Sequence, residues 1–208
     1  MSASVVIVGL GEWERFTRPC IDSLLENNAS FQVIVVDNGS QPPYEAHKPC
    51  YRIKHNPVKG SYAQGLNIGY EATEPNEWTI FTNNDVLFKQ PIFHRLHSLK
   101  PDNLYGFMLY DKVFTRPYLS GWCLFVHDTL IDRIGLFDEQ FAPMWFEDAD
   151  YSFRAVDAGF GLVELDRLQW GIEHLERKGE RGAIMSGKMD ARKANRARLE
   201  KKHHVKPV

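Results

Sequence analysis

Short apolar runs alternate with amphipathic stretches along most of the chain. Residues 4–9 (SVVIVG) are β-branched, continuously apolar and closed by glycine, a pattern that predicts a buried strand. Residues 17–27 (TRPCIDSLLEN) carry an apolar stripe of Ile21, Leu24 and Leu25 with Pro19 in the first turn, which predicts a helix. Residues 32–37 (QVIVVD) predict a second buried strand that ends in the turn Asn38-Gly39-Ser40. Strand, helix and strand, with the strands apolar on both faces, is the pattern of a parallel βαβ unit covered on both sides.

The alternation continues. Further strands are expected at 51–55, 78–82, 104–109, 119–126, 161–165 and 169–172, and helices at 61–73, 91–99, 128–134 and 146–158. Beyond Gly187 the pattern predicts a polar, basic helix or a frayed tail. The fold class is therefore α/β, with a mostly parallel central sheet flanked by helices. Ligands on such sheets sit outside the carboxyl ends of the strands. The segments to read for chemistry are thus 9–14, 37–40, 83–85 and 120–122.

Composition narrows the class. A chain of 208 residues with 43% hydrophobic content suits one sizeable domain with a real core. No apolar run approaches the roughly 18–20 residues that span a bilayer. No basic segment precedes Val5, so no signal peptide is expected. Cys20, Cys50 and Cys123 are odd in number and widely spaced, which predicts reduced thiols and a cytoplasmic location. The net charge of -2 hides an asymmetry: from Glu176 onward 11 Lys or Arg face 4 Asp or Glu. An acidic body that suits a divalent cation carries a basic tail.

Each candidate for chemistry has a plainer alternative. Gly9-Leu10-Gly11 follows the first strand, as a dinucleotide fingerprint would, but Glu14 stands at the third glycine position and opposes a pyrophosphate. Asp37 begins a turn sequence; at a strand's carboxyl end it could also accept hydrogen bonds from a base or ribose. Asn83-Asn84-Asp85 is either a polar turn or a set of oxygen donors for a cation and its phosphates. The acids of Phe146-Glu147-Asp148-Ala149-Asp150 complement a helix dipole, yet they exceed what capping needs. A carboxylate among Trp145, Phe146 and Tyr151 would have a raised pKa, as a general base requires. His174 is a lone histidine, structural or a metal ligand. His203 and His204 are expected to be solvated. GxSxG and P-loop motifs are absent from the sequence, which leaves serine-hydrolase and P-loop chemistry unsupported.

In order along the chain, these segments resemble the family 2 glycosyltransferases, especially the rhamnosyltransferase-like branch. The resemblance rests on residues 34–40 (IVVDNGS), Asn56-Pro57 with 60–69 (GSYAQGLNIG), 81–85 (FTNND), 135–141 (GLFDEQF) with 146–150 (FEDAD), and His174. It implies a glycosyltransferase-A fold with a Rossmann-like nucleotide-binding half, a catalytic domain over 1–178 and a basic helix or tail over 179–208. It implies an inverting, metal-dependent transfer of a hexosyl or deoxyhexosyl group from a nucleoside diphosphate sugar to a glycan, lipid-linked or other hydroxyl acceptor. Asp85, with His174, would hold Mn²⁺ or Mg²⁺. Gly9, Asp37, Asn67, Asn84 and Asp85 would frame the donor. Asp148 would be the base, with Glu147 as the alternative. Asn83 replaces the first acid of a full DXD element, and residues 9–15 depart from the family's usual start. Two rivals are a nucleotidyltransferase of related fold and a non-catalytic sugar-nucleotide or glycan-binding module. The basic tail is either a solvated helix or a contact for an anionic acceptor, DNA included.

Overall fold

The β-branched runs form the centre of a seven-stranded sheet. A computed structural model of the chain describes residues 2–28, 30–46, 48–56, 60–175 and 189–208. Pro57, the expected domain edge at 178 and the start of the tail lie outside these residues. Strands β1 (Ala3–Gly9), β2 (Gln32–Asp37), β3 (Tyr51–His55) and β4 (Trp78–Asn83) pair in parallel in the order β4-β1-β2-β3. Every residue of β1 is buried, because Val and Ile on both of its faces meet helices. The sheet continues past β4 through β9 (Cys123–His127), which is antiparallel, to β6 (Asn103–Gly106) and β10 (Gly161–Glu164). Two small ribbons stand apart: β5 (Val86–Phe88) with β11 (Ile172–His174), and β7 (Leu109–Tyr110) with β8 (Tyr118–Leu119).

Helix α1 (Arg18–Asn27) buries Cys20, Ile21 and Leu24 on one face of the sheet. On the other face lies α2 (Tyr62–Glu71), where the Ser61 hydroxyl accepts the Gln64 amide as an N-cap. Gly69 lets α2 lie close to β1: a Cβ there would stand 2.2 Å from Val6 Cγ1. Helices α3 (Asp128–Ile134), α4 (Glu147–Asp157) and α5 (Arg167–Trp170) follow, and α6 (Met189–His203) is the last.

Five sequence expectations need correction. The run 104–109 divides into β6 and β7, and 119–126 divides into β8 and β9 around Ser120-Gly121-Trp122. Residues 91–99 hold a 3-10 turn over Phe93–Ser98, its start fixed by the Asn28 side chain accepting the Ile92 and Phe93 amides. Residues 169–172 fall across α5 and β11: Asp166 accepts the Leu168 and Gln169 amides and starts a helical turn, which left-handed Gly171 ends.

The last correction concerns the basic tail. Over 189–208 it is docked, not solvated. Leu199 and Val205 join Phe114, Tyr118, Phe141, Phe146, Ala149 and Phe153 in a third apolar cluster beside the sheet's two. His203 Nε2 lies 2.8 Å and Lys202 Nζ 2.6 Å from Asp150 Oδ1, while Arg154 Nε holds Oδ2 at 2.9 Å. His204 is exposed as expected.

Asp150 is fully buried, which opposes its charge, but His203, Lys202 and Arg154 outweigh burial and hold its pKa below the ordinary 3.8. Its stabilisation is present in full above that unfolded value and is lost as pH falls through the lower folded one. Asp150→Asn leaves Lys202 and Arg154 without their carboxylate and is expected to cost about 3–5 kcal/mol near neutral pH. Urea unfolding at a series of pH values checks this, and the gap between parent and variant should close below about pH 4.

Candidate active site

A cleft of about 270 Å³ opens where the end of β4, the turn before β9, the start of α4 and the end of β11 converge. Gly121, Trp122, Glu147, Asp148 and His174 all line it. The Gly121 amide donates to Asp148 Oδ2 at 2.9 Å, and the Ala149 amide to Oδ1 at 2.8 Å. A Cβ on Gly121 would stand 2.9 Å from that of Asp148, so this approach needs glycine. Burial raises the Asp148 pKa, and the Gly121 and Ala149 amides moderate the rise. Glu147 is raised well above the usual carboxylate range, by burial first and then by the Asp148 charge. Its Oε2 is buried without a hydrogen-bond partner among the described residues. The two residues before the pair, Trp145 (φ 78°) and Phe146 (φ 72°), are left-handed without being glycine. Such backbone costs on the order of 1–3 kcal/mol per residue and needs support from its surroundings.

Across the cleft, β11 sets His174 opposite Val86, and the Leu175 amide donates to the Asp85 carbonyl at 2.8 Å. His174 Nε2 thereby reaches 3.3 Å from Asp85 Oδ1. The Trp122 ring stacks on the imidazole with centroids 4.7 Å apart and planes within 1°. Two ligands each about 2.1 Å from one cation and at a right angle lie about 3 Å apart. The Asp85–His174 pair therefore fits a divalent ion. Among the described residues no three His, Cys, Asp or Glu side chains group to hold a metal by themselves. An ion at this pair would complete its shell with substrate oxygens and water, as magnesium commonly does.

Asp85 is buried just behind His174, and it and the remaining sequence candidates lie outside the cleft lining. Asp37 Oδ1 accepts the Ser40 amide and Oδ2 the Tyr44 amide, with His55 Nδ1 at 3.2 Å. Burial would raise its pKa, yet these bonds together lower it. Its visible role is to anchor the 37–44 turn. Asn67, expected to frame the donor, instead bridges α2 to the loop before α4. Its Nδ2 donates to the Phe137 carbonyl and Glu139 Oε1, and its Oδ1 accepts the Phe137 amide. Asn84 donates to Thr17 Oγ1, Thr17 to the Tyr44 hydroxyl, and Tyr44 to the Gly11 carbonyl. Gly9 sits against this chain: a Cβ there would meet the Tyr44 hydroxyl at 2.7 Å. These residues brace the loops at the ends of β1, β2 and β4.

Sequence reasoning missed two side chains that line the cleft, Tyr62 and Arg167. Arg167 sits in α5, next to a stretch read as a strand; the cap signal of Asp166 could have found that helix.

The family model described as Glycosyl transferase family 2 matches residues 4–111, just over half of the chain. No curated protein matches the sequence. Among solved structures, the chain is similar to S. aureus TarS, with a TM-score of 0.61 at 15% identity over 80% of this chain and 35% of that one. It is similar to the mannosyltransferase PcManGT from Pyrobaculum calidifontis in complex with GDP-Man and Mn²⁺, at 0.64, 14%, 88% and 59%. GalNAc-T7 with UDP, GalNAc and Mn²⁺ gives 0.68, 11%, 86% and 44%. The chain spans less than two thirds of each of these proteins, and identities this low establish the fold alone.

The Glu147–Asp148 pair yields a measurable consequence. Burial and the neighbouring Asp148 charge raise the Glu147 pKa, so Glu147 is the member of the pair expected to hold a proton at neutral pH. Infrared difference spectra should show a carboxylic-acid carbonyl band at pH 7 that is missing in Glu147→Gln. A spectrum containing carboxylate bands alone would refute the assignment.

Proposed function

Because the chain belongs to glycosyl transferase family 2 and has the glycosyltransferase-A fold, we propose that it transfers a sugar from a nucleoside diphosphate sugar to an acceptor hydroxyl, with inversion and with a divalent cation. The observation that carries this reading is the cleft itself. It sets the Glu147–Asp148 pair across from His174 and its Asp85 partner. The motif order, with Asn83-Asn84-Asp85 and Glu147-Asp148, supports the rhamnosyltransferase-like branch and a hexosyl or deoxyhexosyl donor.

Asp148 takes the proton of the acceptor hydroxyl as its oxygen attacks the anomeric carbon and the bond to the diphosphate breaks. A raised pKa makes Asp148 a better proton acceptor, and its two amide contacts keep it aimed. A protonated Glu147 leaves that charge on Asp148. One base suffices for a single displacement. Asp85 and His174 would hold Mn²⁺ or Mg²⁺, which when bound neutralises charge on the departing diphosphate. Arg167, also on the cleft lining, would add a cation. Asp37, Gly9 and Asn84 then act by shaping the donor loops and Asn67 by tying α2 to the loop before α4, with Asp37 the member nearest in kind to a nucleoside contact.

We assign residues 1–178 to the catalytic domain and read 189–208 as a segment docked on it through the third apolar cluster. Among the described residues no helix is long and apolar enough to cross a membrane. Buried Cys20 and Cys123, their thiol pKa values raised by burial, suit reduced cysteines and a cytoplasmic setting. The acceptor is a glycan, a lipid-linked or another hydroxyl compound. The exposed Arg192, Lys193 and Lys201 would favour an anionic one.

Two outcomes test the reading. Asp148→Asn should lower sugar transfer about 10²–10⁴-fold while calorimetry finds donor affinity unchanged; transfer at the parent rate would remove Asp148 as the base. In thermal-shift screening of nucleotide sugars, stabilisation of the parent should depend on Mn²⁺ or Mg²⁺, and Asp85→Ala should abolish that dependence. Release of pyrophosphate in place of nucleoside diphosphate would indicate a nucleotidyltransferase. Binding with no turnover across a broad acceptor panel would indicate a binding module.

A further inference from the structure

The last helix holds the loop that leads into the acid pair. Asn195 is 1% exposed. Its Nδ2 donates to the Ala142 carbonyl at 3.1 Å and to the Met144 carbonyl at 3.0 Å, which uses both N–H bonds of the amide. Its Oδ1 accepts from Arg198 at 2.7 Å, and Arg198 also donates to the Gln140 carbonyl. The carbonyl between them, that of Pro143, accepts the Tyr62 amide of α2 at 2.8 Å. Three successive carbonyls are thus gripped from two sides. Met144 and Trp145 line the cleft, and the strained Trp145-Phe146 step follows at once.

On the far side of the acids, Asp150 is held by Lys202 and His203 of the same helix. The segment after α6 adds a third attachment. Thr115 donates its amide to the Lys206 carbonyl at 2.9 Å, and Val208 to that of Val113 at 3.3 Å. Phe114 between them packs under the Arg196 guanidinium.

We propose that Asn195 is a positioning residue: α6 clamps the chain before and after Glu147 and Asp148, and Asn195 is the clamp that sets the acceptor side of the cleft. This rests on Asp148 being the base. Residues 189–208 lie beyond the part matched by the family model and touch acceptor-side loops, while the loops at the ends of β1 and β2 are braced without them. Removing the clamp should therefore separate catalysis from donor binding. A base displaced by about 1 Å loses on the order of a hundredfold in rate.

The test uses the full chain with Asn195→Ala, and Lys202→Met as a second variant that loosens the clamp's other end. Hydrogen exchange at the amides of 144–148 should speed up at least tenfold, with exchange in β1, β2 and β4 unchanged. The affinity for UDP or GDP with Mn²⁺, whichever binds the parent, should stay within twofold. The kcat for nucleoside diphosphate release in transfer should fall at least tenfold. A purely structural role would lower thermal stability and leave kcat intact below the unfolding range; that result overturns the proposal. So does exchange that is unchanged at 144–148 in both variants, or raised evenly along the chain. Should Asn195→Ala not fold, Lys202→Met carries the same readings. A parent that turns over no sugar donor refutes the proposed function, and the exchange pattern still decides whether the clamp exists.

Discussion

The backbone of Gly121 lies so close to Asp148 that no side chain fits between them, and its N–H points at the carboxylate. That contact ties the start of α4 to the turn at 120–122. The turn is itself tied to the central sheet, because the Trp122 carbonyl accepts both the Asn83 amide at 2.9 Å and the Thr82 hydroxyl at 3.1 Å. The Trp122 ring, pointing elsewhere, covers His174. Two consecutive residues, Gly121 and Trp122, thus connect the acid that would take a proton to the pair that would hold a cation. Neither half of the cleft can shift far without straining the other.

Glu147, Asp148 and Asp150 stand within four positions of one another and meet three different fates. Glu147 Oε2 is buried without a hydrogen-bond partner among the described residues, and burial with the Asp148 charge raises its pKa. Asp148 is half-buried and balanced by two amides. Asp150 is fully buried but surrounded by cations, so it stays charged. Burial penalises all three alike, and the nearby donors decide which of them remain anions. The cluster is dense because it carries two tasks, chemistry on one side of the helix and anchorage on the other.

Much of the architecture was legible in the sequence. Short continuous Val and Ile runs alternating with amphipathic stretches pointed to a covered parallel sheet, and the order of short motifs pointed to the family. The pairing of Asp85 with His174 was suggested by that order and is brought about by the β5–β11 ribbon. What the sequence did not reveal depends on partners far along the chain. Asn67 looked like a ligand contact because its bonds to residues 137 and 139 cannot be read locally. The tail looked solvated because its polarity is real; Asn195, Leu199, His203 and Val205 turn inward, and their partners lie far back along the chain. The strand expected at 119–126 is interrupted at Gly121, where a close approach to Asp148 matters more than β propensity.

The third apolar cluster also has a history in time. It joins Phe114 and Tyr118 to Phe153, and both to Leu199 and Val205. A chain made from its first residue onward can pair β1 through β4 long before those last residues exist. The β1–β4 part of the sheet can therefore be complete while the cluster beside the acid pair is still missing. Closure of that cluster is the step that docks α6 onto an already folded sheet, and its long sequence separations make it a slow kind of contact to form.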